Sequence, residues 1–302
     1  MLSSPIPAFV NPRSGSAKEA REAIAKDPRF ALRDVRDVPE LSRVLGADLE
    51  AGARRVVVAG GDGTVGAAAA EIVKRTGCRT ELAIIPGGTL NHFAKDHGVP
   101  TERAAALEAA ATGRARPADV GFVNERLFLN TSSVGAYVTF VRTRERMEPS
   151  FGYHLASLIA AARILSRLRR IHVDLEADGT LHHYRTPLVF IGLGEREVRL
   201  PKLGGRVEGG RRGVHVIVVR SRTGARLMVR ALAAAARGIQ SISRTPTVDS
   251  FVLDQCAVDV PRRKFTISLD GELVTVDGPL EYRIVRDALM VVRPCEGDRG
   301  KT

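Results

Sequence analysis

The chain has 302 residues, 44% of them hydrophobic, which suits two folded domains and excludes an intrinsically disordered chain. It has no Trp and only 5% aromatic residues, which argues against an aromatic platform for sugars or nucleic-acid bases. Lys and Arg outnumber Asp and Glu by 46 to 34, a formal charge of +12 that fits an anionic partner such as phosphate or an acidic membrane surface without naming one.

In chain order, Ile6 to Val10 reads as a strand ending at Asn11-Pro12-Arg13-Ser14-Gly15-Ser16, with a helical stretch around Lys18 to Lys26. Arg55 to Ala59 is an apolar, buried-type strand. It runs into Gly60-Gly61-Asp62-Gly63-Thr64 and an Ala-rich helix from about Val65 to Arg75. Leu82 to Ile85 is a third strand, followed by Pro86-Gly87-Gly88-Thr89-Leu90-Asn91, a helix from near Leu90, and another over Ala104 to Ala111. Strands alternating with helices predict an α/β domain with a parallel sheet. Ligands of such sheets lie outside the carboxyl ends of the strands, so the three turns could meet at one crevice.

After Asp119 the texture changes to strands: Leu127–Asn130, His172–Glu176, Pro187–Leu193, Val214–Val219, Phe251–Val260, Phe265–Leu269, Leu280–Val285 and Leu289–Val292. Asp178-Gly179, Asp270-Gly271 and Asp277-Gly278 read as hairpin turns. Helices are expected over Tyr153–Arg169 and Ala225–Ile239. The domains expected are 1–120, α/β, and 121–302, a β-sandwich whose last strand can return to the first domain.

Gly60, Gly61 and Gly63 would let the backbone approach a phosphate, and Thr64 adds a hydroxyl. Asp62 would repel phosphate unless it holds Mg²⁺ or faces a hydroxyl. The competing reading is a tight turn with Asp62 as a helix N-cap. Arg13, Ser14 and Gly15 offer donors at the first turn. Thr89 and Asn91 belong to the third, where helix capping is the alternative. No P-loop or protein-kinase catalytic loop is present.

Asn11-Pro12-x-Ser14-Gly15, Gly60–Thr64, Ile85–Ala94, Asp119-Val120-Gly121, Phe128–Gly135 and Leu269-Asp270-Gly271-Glu272, in that order, resemble the motifs of the diacylglycerol kinase catalytic family, which includes sphingosine and ceramide kinases. The resemblance implies a phosphofructokinase-like α/β domain, a β-sandwich, and an active site in the cleft between them. It implies ATP and Mg²⁺, with Asn11 to Gly15, Gly60 to Thr64 and Thr89 at the nucleotide. It implies that Asp270-Gly271-Glu272 faces the acceptor hydroxyl, with Glu272 as proton acceptor. Asp62, Asp270 and Glu272 are thus the expected catalytic carboxylates, with Asp62 the candidate metal ligand. Pro12, Gly88 and Asn91 complete the expected nucleotide contacts.

The sequence departs from the family in two places. Gly66-Ala67 stand where many members have Asn-Glu, which removes a carboxylate near the phosphates. Arg206 to Val214 lacks the acidic stretch that holds a structural Mg²⁺ in bacterial members. An NAD kinase-type enzyme and a weakly active nucleotide- or lipid-binding regulator are the alternatives. The expected partner is a lipid at an anionic membrane surface, with no nucleic acid; a homodimer is left open. Tyr153 to Arg170 is a basic amphipathic helix that could lie on a bilayer or pack on the sandwich. With no run of ~20 apolar residues, no signal-peptide pattern and three unpaired-looking cysteines, Cys78, Cys256 and Cys295, a cytoplasmic protein visiting the inner membrane surface is expected.

Overall fold

The computed structural model describes residues 4–75, 79–166, 170–197, 205–220 and 248–295, without the side chains of 164–166. Cys78, Arg167, Arg169 and the helix expected over 225–239 lie outside the described residues. The chain divides into two compact units, one running to Val120 and resuming at Val285, the other Gly121–Ile284.

The first unit alternates strand and helix: β1 (Ile6–Val10), α1 (Ala17–Lys26), β2 (Phe30–Arg33), α2 (Val38–Glu50), β3 (Arg55–Gly60), α3 (Asp62–Lys74), β4 (Glu81–Pro86), α4 (His92–Asp96) and α5 (Arg103–Thr112). The strands pair in parallel in the order β2-β1-β3-β4. The end of β16 (Leu280–Arg293) pairs in parallel beyond β4. Val57, Ala59, Ala83 and Ile85 bury one sheet face in a core shared with Ile24 of α1 and Ala106 of α5. Val56, Val58, Leu82 and Ile84 are equally buried, as are Leu41 and Leu45 of α2 and Ala68 and Ile72 of α3. Covering on both faces is why β3 and β4 are unbroken apolar runs. The winding reverses between β1 and β3, so the crevice of such a sheet opens at their carboxyl ends. Arg55 ties the opposite end together, donating to Glu81 at 2.7 Å and to the carbonyls of Ala110, Ala111 and Gly113. A cation there satisfies the last carbonyls of α5.

The second unit is a β-sandwich, as the strand-rich texture predicts. After β5 (Arg114–Val123) come β6 (Arg126–Phe128), β7 (Thr131–Gly135), α6 (Ala136–Ser166), β8 (Ile171–Ala177), β9 (Thr180–Thr186), β10 (Leu188–Leu193), β11 (Val214–Val219), β12 (Val248–Leu253), β13 (Gln255–Asp259), β14 (Lys264–Leu269) and β15 (Glu272–Asp277). One antiparallel sheet runs β12-β11-β10-β7-β14-β15; in the other, β13 lies between β8 and the start of β16. Val134, Val189, Val216 and Ile267 from the first sheet meet Val173, Leu175, Val258 and Tyr282 from the second. The Tyr282 hydroxyl reaches Ser132 Oγ at 2.9 Å, satisfying both buried groups.

Several sequence expectations change. Phe251–Val260 is two strands, β12 and β13, which pass to different sheets at Asp254. Leu280–Val285 and Leu289–Val292 are one strand, β16, bent at Asp287, whose φ is 54° and whose N–H donates to Asp119 at 3.0 Å. Asp277-Gly278 is not a hairpin, because β15 and β16 lie in different sheets. Asp178-Gly179 and Asp270-Gly271 are hairpins, each with positive φ at both residues. Cys256 is a buried free thiol and Cys295 a half-buried one.

One buried group makes stability pH-dependent. His215 on β11 is 2% exposed. Its Nδ1 accepts from the Arg196 N–H at 2.7 Å, and its Nε2 meets Ser250 Oγ at 2.7 Å. Burial pushes its pKa from 6.5 down to about 4. The folded chain therefore favours neutral imidazole. Its contribution, up to about 3 kcal/mol, is present above pH 6.5 and is lost as pH falls toward and through 4. Thermal melts of wild type should drop over that window, and those of His215→Gln should drop less.

Candidate functional site

The three turns singled out in the sequence meet at the carboxyl ends of β1, β3 and β4. The Asn11 N–H donates to the Ala59 carbonyl at 3.0 Å, and the Gly87 N–H to the Gly60 carbonyl at 2.9 Å. Asn11 Nδ2 donates to Thr64 Oγ1 at 2.7 Å. Gly61 and Gly88 touch so closely that a methyl at Gly88 would lie 2.6 Å from the Gly61 Cα. A methyl at Gly87 would lie 3.0 Å from Ser16 Oγ and 3.3 Å from Ser14 Oγ. Glycine is needed here for close approach of backbones.

The expected nucleotide contacts divide into groups that face outward and groups that hold the turns. Pro12, Arg13, Gly15 and Thr89 are exposed; Ser14, Gly61 and Gly63 are half-buried. Thr64 is 4% exposed, and its hydroxyl is turned to Asn11. Asn11 Oδ1 accepts the Arg13 N–H at 3.0 Å, which shapes the first turn. Asn91, at φ 51°, clasps Gly88 from both sides: Oδ1 accepts its N–H at 2.9 Å and Nδ2 donates to its carbonyl at 2.7 Å. Gly61 is the N-cap of α3, with no side-chain cap. The Thr64 and Val65 N–H groups donate to the Gly61 carbonyl at 3.0 and 3.1 Å, and the Asp62 and Gly63 amides ahead of them stand at the positive end of the helix dipole, which suits an anion.

Asp62 has a second duty that sequence reasoning missed. Its two oxygens accept the N–H groups of His92 and Phe93, each at 3.1 Å. Asp62 is not the N-cap of its own helix: it caps α4 and ties the second turn to the third. Each of its oxygens keeps a second lone pair, so a cation can still be held.

The acidic turn in the second unit divides its labour likewise. Asp270 Oδ2 accepts the Leu129 N–H at 2.7 Å, and Oδ1 accepts those of Asn130 and Thr131 at 2.8 Å. Asp270 therefore anchors the entry into β7. Glu272 is the exposed carboxylate of the turn, opposite Leu269 at the start of β15. Glu145 of α6 stands close enough to feel it. Burial first, opposed by Arg144 and assisted by the Glu272 charge, holds the Glu145 carboxyl above its ordinary pKa. Glu145 follows the Phe128–Gly135 motif on the helix that motif leads into, which was the available signal.

A cavity of about 440 Å³ lies elsewhere in the second unit, lined by Glu125, Glu176, Asp178, Asp254 and Glu281 with Arg283. Five carboxylates repel an anion, so it is a poor phosphate site. Gly66 and Ala67 are half-buried on α3, and a methyl at Gly66 would meet nothing within 4 Å.

Gly88→Ala tests the contact between turns. The added methyl collides with backbone, which cannot swing aside as a side chain can. The variant should lose about 1–3 kcal/mol of stability and bind nucleotide more weakly, measured by thermal melts and titration calorimetry.

Comparison with known proteins agrees with this geometry. Residues 5–123 match the family model of the diacylglycerol kinase catalytic domain. The chain is 32% identical over 188 residues to a Pseudomonas putida protein named "Probable lipid kinase YegS-like", covering 58% of this chain and 62% of that one. A protein of the same name from Pseudomonas aeruginosa is 36% identical over 168 residues, covering 54% and 52%. The chain thus spans about half to three-fifths of the length of these relatives. A solved diacylglycerol kinase structure from Bacillus anthracis str. Sterne superposes with a TM-score of 0.68 at 19% identity, covering 97% and 98% of the two chains. At that identity the likeness speaks for the fold.

Proposed function

We propose that this chain, which over residues 5–123 belongs to the diacylglycerol kinase catalytic-domain family, passes the γ-phosphate of ATP to a lipid alcohol such as diacylglycerol. The supporting observation is the convergence of three strand-end turns at the point where the sheet's winding reverses, with Gly61 packed on Gly88 beside the start of α3. Backbone that close, next to a helix start and the exposed Arg13, suits a triphosphate. Asn11, Thr64 and Asn91 keep the turns in register; Ser14, Gly15, Gly60, Gly63 and Thr89 border the phosphates.

Mg²⁺ fits this reading through Asp62. The described residues hold no group of three His, Cys, Asp or Glu able to take a metal. A cation here would share its shell among Asp62, phosphate oxygens and water, as Mg²⁺ commonly does. When bound, it offsets the charge of the phosphates.

In the transfer, the lipid oxygen bonds to the γ-phosphorus and the bond from that phosphorus to the β–γ bridging oxygen breaks, leaving ADP. Glu272 accepts the hydroxyl proton late and returns it to water. The turns position and stabilise charge, which is most of what a loose phosphoryl-transfer transition state requires.

Gly66-Ala67 motivate a second reading, a nucleotide or lipid binder with weak turnover. The purified chain with labelled ATP, Mg²⁺, a panel of lipids in mixed micelles, and NAD separates the readings. Label on a lipid is expected. Label on NAD would make it an NAD kinase, and nucleotide binding without transfer would make it a regulator.

A further inference from the structure

The second half of α6 packs the opposite way from what its sequence suggests. Gly152, with φ 70° and ψ 165°, breaks the helix. Beyond it the residues packed inward are small: Ala156, Ser157 and Ala160 at 0% exposure and Ala161 at 3%. Ala160 and Ala161 join Phe140, Val141, Leu188 and Val219 in a core cluster. Leu155 is 47% exposed, Leu158 and Ile159 are half-buried, and Ala162 is exposed. At 100° per residue these four form one stripe, opposite the alanine face. Phe151, 48% exposed, closes the preceding half of the helix. The stripe expected to pack on the sandwich is thus the one turned outward, and an apolar patch of this kind marks a binding surface.

Charge selects the occupant. From Tyr153 to Arg170 the chain carries four arginines and no acidic residue. Arg163, next to the stripe on the helix, is exposed, and so is Arg170 beyond the helix end. The acids of the preceding half, Glu145 and Glu148, stand beside Arg144, at 3.9 and 3.7 Å. A second copy of the chain, docked symmetrically, would set arginines against arginines. An anionic bilayer accepts both features: Leu and Phe enter the acyl boundary while guanidinium groups meet lipid phosphates. No helix among the described residues is long and apolar enough to cross a membrane, so the contact is at the surface. We infer that the Leu155–Ala162 face of α6 docks this chain on an anionic lipid bilayer. This rests on the lipid-kinase reading by naming where the substrate is met, but its measurement is independent of turnover.

The test is flotation with vesicles of phosphatidylglycerol and phosphatidylcholine, against phosphatidylcholine alone. Wild type should float with the anionic vesicles only. Leu155→Ser should weaken that binding about tenfold, and Arg163→Gln should flatten its salt dependence. Leu155 is half-exposed, so its variant should melt with wild type. The chain has no Trp, so Leu155→Trp supplies a lone emission that should shift to the blue on anionic vesicles. Equal binding by wild type and Leu155→Ser, no binding by wild type, or Leu155-dependent self-association in sedimentation would each overturn the inference. Turnover on a dispersed short-chain lipid reads the kinase reaction alone; its absence would remove that reaction and leave the vesicle result to stand or fall separately.

Discussion

Asp62→Ala should lower ATP-dependent transfer by about 10²–10³-fold and also reduce the melting temperature. The two effects have separate causes. The carboxylate accepts the His92 and Phe93 amides, so its loss leaves α4 uncapped. A cap of this kind contributes about 1 kcal/mol, a shift of a few degrees in a chain of this size. The larger loss comes from removing a negative charge beside the phosphate turns, where a cation would be held. Asp62→Asn divides the causes, because its amide oxygen can still accept a backbone N–H but carries no charge. Transfer should stay low in Asp62→Asn while much of the melting temperature returns. Turnover near wild type in either variant would remove Asp62 from the chemistry and leave it a cap.

The acidic turn should separate still more clearly. Asp270→Ala leaves the Leu129, Asn130 and Thr131 amides without their acceptor. Charge-assisted bonds to backbone contribute roughly 1.5–3 kcal/mol each and do not add fully. A loss of about 3 kcal/mol or more is expected, roughly 6–12 °C in melting temperature. Glu272→Gln should behave in the opposite sense. The side chain is exposed, so melting should not move, while transfer falls about 10²–10⁴-fold with loss of the proton acceptor. A variant pair with these effects exchanged would reverse the assignment of anchor and base.

The sequence made the layers of the fold and the three turns legible because both rest on local rules. Apolar runs in β1, β3 and β4 end at glycine or Asn-Pro punctuation, and alternation in β8 tracks its buried face. What escaped lacked such marks. Asp254-Gln255 is a polar pair without glycine or proline, yet the chain changes sheets there. Pro39 resembles a breaker, although with Asp37 accepting the Glu40 N–H it opens α2, whose Leu41, Leu45 and Leu49 keep helical spacing. Pro149 and Gly152 hid the first half of α6. In the site, residue types pointed to phosphate chemistry but could not divide labour. That Asn11 and Thr64 face each other, that Asp62 takes the His92 and Phe93 amides, and that Asp270 is spent on three amides are tertiary facts between distant segments.

Hydrogen exchange with and without saturating MgATP tests the phosphate cradle most directly. Added protection is expected together at residues 12–16, 61–64 and 87–91, because one triphosphate would quiet the amides of all three turns. Nucleotide binding with no change at these turns, or protection confined to another part of the chain, would contradict the account.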